Sequence, residues 1–256
     1  RQWFGDKYRI LIDKGIDGFW NDMNEPAIFY SEKHLKEVFE KMEDYKTMNL
    51  DVNTFFEMTG MIGSICNNPE DYASFYHNYR GKRYRHDQVH NLFGYYMTRS
   101  ASEAFERYVP EKRILLFSRA SYIGMHRFGG IWQGDNASWW SHLKMNVKMM
   151  PSLNMCGFLY TGADVGGFGA DATEDLVLRW LEFAVFTPLL RNHSARGTRR
   201  QEVYRFSHVE KFADVIGVRY QILPYIYSEY MKAALRNTMM FNPLSFLYGE
   251  DALARQ

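Results

Sequence analysis

Short apolar runs alternate with stretches in which apolar residues recur every three or four positions. The short runs predict buried strands, and the periodic stretches predict helices that pack on one side. The predicted strands lie at residues 16–21, 114–117, 157–160, 189–190 and about 241–247. The predicted helices lie at residues 3–14, 87–107, 138–151, 173–187 and, after residue 207, in a long stretch that Pro224 should kink or split.

The segment 31–85 interrupts this alternation and predicts a long irregular insertion after the first strand. It begins with an amphipathic helix, whose apolar face is formed by Leu35, Val38, Phe39 and Met42. Glycines near its middle, at residues 58–68, predict a loop. The sequence therefore predicts one helix at the start of the insertion and irregular structure after it.

Two helix starts carry the spacing of a capping box, in which two side chains bond each other's backbone N–H groups across one turn. The pairs are Asp171 with Glu174 and Ser207 with Glu210. We expect the first pair to begin the helix at 173–187 and the second pair to begin the long helix that follows.

A polar or charged residue follows each of several predicted strands, namely Asp22, Arg119, Asp164 and His193. One such residue is unremarkable, but several in register indicate strand ends that converge on one mouth. This is the plan of an α/β chain of the (β/α)8 TIM-barrel type. Only about five strands are present, so we predict a partial barrel that does not fold alone, because its open sheet edges would be unpaired.

A doubly wound sheet also fits an alternating α/β pattern. However, no GxGxxG or GxxxxGK[ST] motif follows any predicted strand, so nucleotide binding has no support. By spacing alone, Asp22 is as well explained as a helix cap or an ordinary loop residue. The pattern of strand ends favours the barrel without assigning a role to any one side chain.

Composition places the chain among globular proteins with a sizeable core, since 46% of its 256 residues are hydrophobic and 24% are charged. Aromatic residues make up 17%, which suits either a deep binding cleft or a large core. The net charge of +1, without a basic patch, gives no indication of nucleic acid or of a membrane surface. No apolar run reaches the roughly 18 residues of a membrane span.

Cys66 and Cys156 lie far apart and outside any CxxC pattern, so we expect two buried or incidental thiols rather than a disulfide or a metal site. The chain begins at Arg1, without a methionine and already within a helical pattern. We therefore interpret it as a piece of a longer polypeptide. The sequence does not determine its cellular location, for which the cytoplasm is the default expectation.

Five short motifs lie along the chain. Residues 20–26 read Trp-Asn-Asp-Met-Asn-Glu-Pro, and residues 128–136 read Phe-Gly-Gly-Ile-Trp-Gln-Gly-Asp-Asn. Three shorter motifs occupy residues 90–94, 162–168 and 191–194. Together and in this order they resemble family-31 glycoside hydrolases, the α-glucosidase family, in which the first two motifs carry the nucleophile and the acid/base.

The resemblance implies that Asp22 is the nucleophile and Asp135 the general acid/base. The residues that it implies around the sugar in the cleaved subsite are Trp20, Met23, Arg119, Trp132, Asp164, Phe168 and His193. By residue type alone, the arginine could be a surface ion-pair partner, and the histidine and aromatic residues could be plain core. The implied fold is a (β/α)8 barrel flanked by β-sandwich domains. We expect residues 1–256 to form about strands 4 to 8 of it, with 31–85 as an insertion and without the flanking domains.

Cleavage of an α-glucosidic bond passes through an oxocarbenium-like state, for which one carboxyl group to attack and another to deliver a proton suffice. Arg119 could hold Asp22 ionised, whereas Trp132 and Trp139 indicate an apolar setting around Asp135. The resemblance implies retention, which needs the two carboxyl groups about 5–5.5 Å apart. We therefore expect a retaining exo-α-glucosidase that releases non-reducing-end glucose from α-linked oligosaccharides through a covalent glucosyl-enzyme.

Several alternatives stay open. A metal site could use the acidic residues of the barrel mouth with His193, but no HxH or HExxH spacing supports one, so no metal and no cofactor are expected. A non-catalytic carbohydrate-binding barrel would not need both Asp22 and Asp135. Glucosyl transfer and α-xylosidase activity are alternatives on the same fold. The expected partner is an α-linked gluco-oligosaccharide, with no nucleic acid and no membrane, and a homo-oligomer is left open.

Overall fold

The computed structural model describes residues 1–27, 29–66 and 68–255. The chain divides into two compact units. The first unit contains residues 1–113 and 119–122, and the second contains residues 114–118 and the chain from residue 123 onwards.

The first unit begins and ends with helices. It opens with α1 (Gln2–Lys7), α2 (Arg9–Ile12) and strand β1 (Gly18–Asn21), which confirm the helix and strand predicted there. The predicted insertion holds α3 (Glu32–Tyr45), α4 (Val52–Gly63), α5 (Pro69–Ser74), β2 (Tyr76–Tyr79) and β3 (Lys82–Arg85). The unit continues with α6 (His86–Val89), a 3-10 turn (His90–Leu92) and α7 (Phe93–Tyr108).

Helix α4 occupies much of the segment that the sequence predicts as a loop. Asp51 starts it with a capping box: its carboxylate accepts a hydrogen bond from Thr54 N at 2.9 Å, and the Thr54 hydroxyl accepts one from Asp51 N at 2.7 Å. Two capped donors offset part of the helix penalty of about 1 kcal/mol that each glycine imposes. The loop prediction is therefore wrong up to Gly63, and Asn67 lies outside the described residues.

Helix α3 is where the amphipathic pattern predicts it, and Ser31 caps it by accepting a hydrogen bond from His34 N. Its apolar face is only partly used, however. Val38 is buried, whereas Phe39 is 63% exposed. The pattern therefore identifies the helix correctly but overstates how much of its apolar face is covered in this chain.

A row of hydrogen bonds ties α3, the end of α4 and α5 together. Nδ1 of His34 lies 2.5 Å from Oδ2 of the buried Asp71, and Nε2 of His34 lies 3.2 Å from Oγ of Ser64. Ser64, His34 and Asp71 are connected in the order of the catalytic triad of a serine hydrolase. However, the Ser64 hydroxyl donates to the Met61 carbonyl at 2.6 Å. The hydroxyl is thus committed to the helix end, and the row acts as a structural cross-link.

The second unit contains strands β4 (Leu115–Ser118), β5 (Asp164–Val165) and β6 (Arg191–Asn192). Its helices are α8 (Trp140–Met155), α9 (Glu174–Ala184), α10 (Val209–Arg236) and α11 (Leu244–Leu247), with 3-10 turns at Met125–Arg127 and Val203–Arg205. Its core packs α9 against β5 and α10 through Ala163, Val165, Ala172, Leu176, Val177, Trp180, Leu181, Ala184 and Phe212.

Neighbouring extended segments of the second unit form a parallel ladder. Phe117 of β4 bridges Gly130 in parallel. Residues 131 and 133 then donate to the carbonyls of residues 160 and 162, at 3.3 and 3.0 Å. Finally, β5 pairs with β6 in parallel, with Asp164 beside Arg191. Since the segments run in the same direction, their carboxyl ends lie at the same edge.

Two predicted strands of this unit are displaced in the structure. The strand predicted at 157–160 is wrong, because Gly157 and Phe158 still donate back to the end of α8 and the strand begins only at Asp164. The strand predicted at 189–190 falls instead at Arg191–Asn192. In both cases the strand lies after the apolar run: β6 follows its run directly, whereas residues 161–163 separate β5 from the run at 157–160.

Both predicted capping boxes are wrong. Thr173, not Asp171, caps α9 by accepting from Leu176 N, and His208 precedes α10 without a side-chain cap. The Glu174 carboxylate instead accepts from the backbone N–H groups of Ser207 and His208, at 3.3 and 2.8 Å. A residue at the start of α9 therefore caps the start of α10, which local spacing cannot indicate.

Helix α10 also closes the other end of α9. Arg219 donates to the carbonyls of Val185 and Thr187, both at 2.7 Å, which satisfies orphan acceptors at the end of α9. The helix runs through Pro224 without splitting, contrary to one form of the prediction. Its buried residues on both sides of the proline, Phe212 and Ile226, explain why packing overrides the lost hydrogen bond.

The strand predicted near 241–247 is wrong. The backbone N–H groups of Met240 and Phe241 donate to Oδ1 of Asn154, at 3.0 and 2.9 Å, instead of to a neighbouring strand. Pro243 then leads into helix α11. Cys66 and Cys156 are free thiols, and both are exposed, so the expectation of buried thiols is wrong. Within the described part of the chain, no helix is long and apolar enough to cross a membrane.

His86 lies fully buried in the first unit among aromatic rings. It stacks on Phe29 with ring centroids 4.3 Å apart, and its Nδ1 lies 2.9 Å from Nε2 of His77. Burial lowers the pKa of His86 to about 4, and the charges of His77 and His90 act in the same direction. The imidazole is therefore neutral at neutral pH.

We expect this histidine to make the full-length protein less stable as the pH falls from about 6.5 to about 4. The unfolded chain binds a proton on the imidazole near pH 6.5, whereas the folded chain does so only near pH 4, so protons favour unfolding in that window. His86→Phe should flatten the decline in melting temperature across these pH values. The matched control is His126→Phe, at an exposed site, which should keep the decline; equal behaviour of the two variants would contradict the prediction.

Candidate active site

Asp22 directly follows strand β1 in the first unit, and its side chain is 53% exposed. Its Oδ1 accepts a hydrogen bond from Met23 N at 2.8 Å and lies 3.2 Å from Nη1 of Arg119. Met23 has a left-handed backbone, with φ of 55°, which turns the chain sharply at this point. The carboxylate is thus oriented by its own turn and by one cation, and both donors reach Oδ1.

Arg119 is held by a second carboxylate. Its Nε and Nη2 donate to Oε1 and Oε2 of Glu25, at 2.7 and 2.9 Å, in the two-pronged geometry that guanidinium and carboxylate groups prefer. Burial, the largest single effect, raises the pKa of Glu25. The hydrogen bonds from Arg119 and from the backbone, together with the charges of Arg119 and His90, lower it by more, so that the net pKa lies below its usual range. Glu25 is therefore ionised, and the peptide bond from Glu25 to Pro26 is cis.

Hydrogen bonds hold the residues on both sides of Asp22 against residues 119 and 120 within the first unit. The Asn21 carbonyl accepts from Arg119 N at 3.0 Å, and Oδ1 of the buried Asn24 accepts from Ala120 N at 2.9 Å. A side chain at Gly94 would come within 2.6 Å of Ala120, so helix α7 can start here only with glycine. These contacts explain why residues 90–94 form a motif.

Among the aromatic and apolar residues implied around the sugar in this unit, Trp20 is half-buried and Met23 is 47% exposed. Asn21, which adjoins the nucleophile candidate, turns its side chain to Tyr8, whose hydroxyl donates to Oδ1 of Asn21 at 2.6 Å. Trp20, Asp22, Met23 and Arg119 thus belong to one local constellation in the first unit.

Asp135 lies in the second unit, in the loop after the ladder segment 130–133, and is exposed. Trp139, expected to give it an apolar setting, is 56% exposed, so that expectation is wrong for this residue. The loop is anchored by its neighbour Asn136, which is buried and whose carbonyl accepts from the N–H groups of Phe168 and Gly169, at 2.6 and 3.0 Å. The anchor holds Asp135 beside the loop that follows β5.

Asp164 is fully buried, with Oδ1 accepting from Nε and Nη2 of Arg191 at 3.0 and 2.5 Å. Burial raises the pKa of Asp164, and Arg191 only partly offsets this effect. The charge of His193 lowers the pKa of Asp164 further, whereas that of Asp135 raises it. Oδ2 of Asp164 is buried and has no hydrogen-bond partner among the described residues.

Aromatic contacts link other predicted site residues of the second unit. The Arg191 guanidinium lies 5.7 Å from the ring centroid of the buried Trp132. The rings of Phe168 and His193 are 5.3 Å apart and inclined by 30°. Ala195 N donates to the Phe168 carbonyl at 2.8 Å, which ties the loop after β6 to the loop after β5. The residues predicted from this half of the chain are thus brought together.

A tight turn follows β5 at Gly166 and Gly167, whose φ angles are 89° and 87°. A side chain on Gly167 would come within 2.6 Å of the Ser138 backbone, so the turn can approach the Asp135 loop only with glycine. Nε2 of the buried Gln201 lies 3.1 to 3.2 Å from the carbonyls of Val165, Gly167 and His193. One amide group therefore holds β5, its turn and the end of β6.

Sequence reasoning missed three of these residues. Glu25 and Arg191 lie inside motifs quoted from the sequence, so their positions could have indicated a role in the site. However, the pairing of Glu25 with Arg119 and of Arg191 with Asp164 depends on the fold. Gln201 carries no signal of its own in the sequence. Among the described residues, no group of three or more His, Cys, Asp or Glu side chains could hold a metal ion.

The sequence matches the family described as "Glycosyl hydrolases family 31 TIM-barrel domain" over residues 1–229. The chain therefore belongs to family 31 of the glycosyl hydrolases and has that family's α/β TIM-barrel fold. This confirms the resemblance drawn from the five motifs.

Relatives with names are similar along nearly the whole chain. "Alpha-glucosidase 2" of Bacillus thermoamyloliquefaciens is 32% identical over 255 residues, which are 98% of this chain and 28% of that protein. "Alpha-glucosidase" of Saccharolobus solfataricus is 29% identical over 259 residues, which are 98% of this chain and 35% of that protein. The chain thus spans about a third or less of the length of these relatives.

Solved structures are also similar. A family 31 α-glucosidase from Bacteroides thetaiotaomicron matches with a TM-score of 0.69 and 28% identity, over 94% of this chain and 33% of that one. A family 31 dextranase from Flavobacterium johnsoniae in complex with glucose matches with a TM-score of 0.75 over 98% of this chain and 28% of that one. Its 24% identity shows a shared fold alone.

The buried pair of Asp164 and Arg191 should contribute more to stability than an exposed ion pair. Arg191→Met leaves the Asp164 carboxylate buried without its cation, a change that costs about 3–5 kcal/mol. The matched control is Arg179→Met, which removes an exposed arginine paired with Asp175 and Glu182 and should cost about 0–1 kcal/mol. Equilibrium unfolding of the full-length protein measures both; similar losses in the two variants would contradict the role of burial.

Proposed function

We propose that this chain is the catalytic part of a retaining exo-α-glucosidase. It would release glucose from the non-reducing end of α-linked oligosaccharides by double displacement. The observation that carries the proposal is the family-31 match over residues 1–229, within which Asp22 and Asp135 each follow an extended segment of the chain. The relatives named α-glucosidases support the same substrate class.

Asp22 is the proposed nucleophile. A carboxylate that attacks the anomeric carbon has to be ionised, fixed in direction and open to the substrate. The contacts of its Oδ1 with Met23 N and Arg119 limit the rotation of the carboxylate and place a positive charge beside it. The half-exposed side chain supports access for a sugar.

Asp135 is the proposed general acid/base. Proton delivery to a leaving group, followed by activation of water, needs an exposed carboxyl group on an anchored loop. The exposure of Asp135 and the hydrogen bonds of the neighbouring Asn136 support this role. Retention further requires that the two carboxyl groups lie about 5–5.5 Å apart in the working enzyme.

Asp164 and His193 are proposed to bind sugar hydroxyl groups, with Arg119 contributing beside Asp22. The unpaired Oδ2 of Asp164 supports an acceptor role, since a buried carboxylate oxygen without a donor is unfavourable unless a ligand provides one. Trp20, Met23, Trp132 and Phe168 are the proposed walls, whose apolar faces suit the C–H surfaces of a sugar ring.

We also propose that residues 1–256 form part of one catalytic barrel, about strands 4 to 8. The segment 31–85 would be an insertion after the first of these strands, and the β domains that flank the barrel would lie outside this chain. The parallel ladder from β4 to β6 supports this arrangement. The share of its relatives that the chain covers supports it as well.

The test of function is proton NMR of the first-formed sugar, with full-length enzyme and a panel of α-linked disaccharides. We expect α-glucose to appear first, and only from substrates with terminal α-linked glucose. Asp22→Asn should lower turnover by several orders of magnitude without unfolding the protein. First-formed β-glucose would rule out retention, and more than about a tenth of the activity left in Asp22→Asn would rule out this nucleophile.

Asp135→Ala should behave differently with different leaving groups. An aryl glucoside with a good leaving group needs little protonation, so formation of the glucosyl-enzyme should be largely spared, whereas disaccharide cleavage should fall about 100- to 10,000-fold. Pre-steady-state kinetics of both substrates separates the two steps. A comparable loss for both substrates in that first step would argue against the acid role.

A further inference from the structure

The guanidinium nitrogen atoms of Arg119 contact two different carboxylates in the first unit. Nε and Nη2 contact the two oxygens of Glu25, at 2.7 and 2.9 Å, and Nη1 lies 3.2 Å from Oδ1 of Asp22. A guanidinium group is planar and rigid, so two contacts on one edge determine the direction of its third nitrogen. Glu25 therefore determines where Nη1 meets Asp22.

We propose that Glu25 is a positioning residue for the reaction: it holds Arg119 by one edge, so that Nη1 presents a fixed donor to the Asp22 carboxylate. The proposal rests on the proposed role of Asp22 as nucleophile. Glu25 acts through Arg119 and contacts neither the substrate nor the reacting atoms.

Glu25 is well suited to this task by its own surroundings. Its side chain is 29% exposed, and that of Arg119 is 23% exposed, so water competes little for their hydrogen bonds. The titratable groups whose charge acts on it or is affected by it are Arg119, His90 and Tyr72. The backbone of Arg119 is also fixed, because its N–H donates to the Asn21 carbonyl at 3.0 Å.

Positioning has consequences that a purely structural ion pair does not have. With Glu25 ionised, two carboxylates share one guanidinium, and the local charge is negative. Glu25→Gln replaces one carboxylate oxygen by an amide NH2 group, which cannot accept a hydrogen bond from the guanidinium group. Arg119 then keeps only one of its two hydrogen bonds to residue 25 and can rotate. Because its Nη1 no longer has a fixed direction toward Asp22, kcat should fall.

The experiment compares three variants of the full-length enzyme. Glu25→Gln should lower kcat about 100-fold, the effect of roughly 1 Å of misplacement, while KM changes only about threefold. Glu25→Asp keeps both acceptor oxygens but shortens the side chain, so kcat should fall about 10-fold with KM nearly unchanged. The matched control is Glu103→Gln, since Glu103 is 27% exposed and pairs with Arg99 at 2.7 Å; it should behave as wild type.

A separate measurement distinguishes this proposal from the proposed function. A fluorinated glucosyl fluoride that traps the glucosyl-enzyme should label Asp22 in wild type and, more slowly, in Glu25→Asp. Absence of label on Asp22 in the wild type would overturn the nucleophile assignment itself. With Asp22 labelled, a kcat of Glu25→Gln within about threefold of wild type, or a wild-type labelling rate in Glu25→Asp, overturns the positioning role.

Should Glu25→Gln fail to fold, as judged by its melting temperature, Glu25→Asp decides the question. A folded Glu25→Asp enzyme with wild-type kcat and wild-type labelling rate would overturn the proposal. Reduced kcat and slower labelling, with KM nearly unchanged, would support it.

Discussion

A carboxylate at the end of a buried strand needs a cation close by, because an ionised group is costly to remove from water without a partner. Both units meet this constraint with an arginine. Asp22 forms an ion pair with Arg119, and Asp164 forms one with Arg191. The two carboxylates differ in burial: Asp22 is half-exposed, whereas Asp164 is fully buried and its Oδ2 has no hydrogen-bond partner among the described residues.

The features that the sequence predicts best are those determined by local order. Strand β1 and helix α9 appear within a few residues of their expected bounds, because apolar periodicity depends on neighbours in the chain. The helix predicted at 87–107 is instead divided into α6, a 3-10 turn and α7. The motif residues also group as expected within each unit: Asp22 with Arg119, and Asp164 with His193. Motifs at strand ends are informative because parallel strands bring their carboxyl ends to one edge.

The features that the sequence missed depend on partners far along the chain. Both capping boxes were wrong because Glu174 bonds backbone groups 33 and 34 residues away instead of its own turn. In the last predicted strand, the backbone N–H group of Met240 donates to Asn154, 86 residues earlier, instead of to a neighbouring strand. In the segment 58–68, the opposite error occurred: a strong local cap at Asp51 outweighed the glycines that predicted a loop.

The reciprocal caps between α9 and α10 have a consequence for dynamics. Glu174 of α9 closes the beginning of α10, while Arg219 of α10 closes the last turn of α9. Neither helix can fray at these ends without exposing polar backbone groups of the other. The two helices should therefore open as one cooperative segment in amide hydrogen exchange, at the rate of the more slowly exchanging helix. Strand β5, which packs against α9, should be protected to a similar extent.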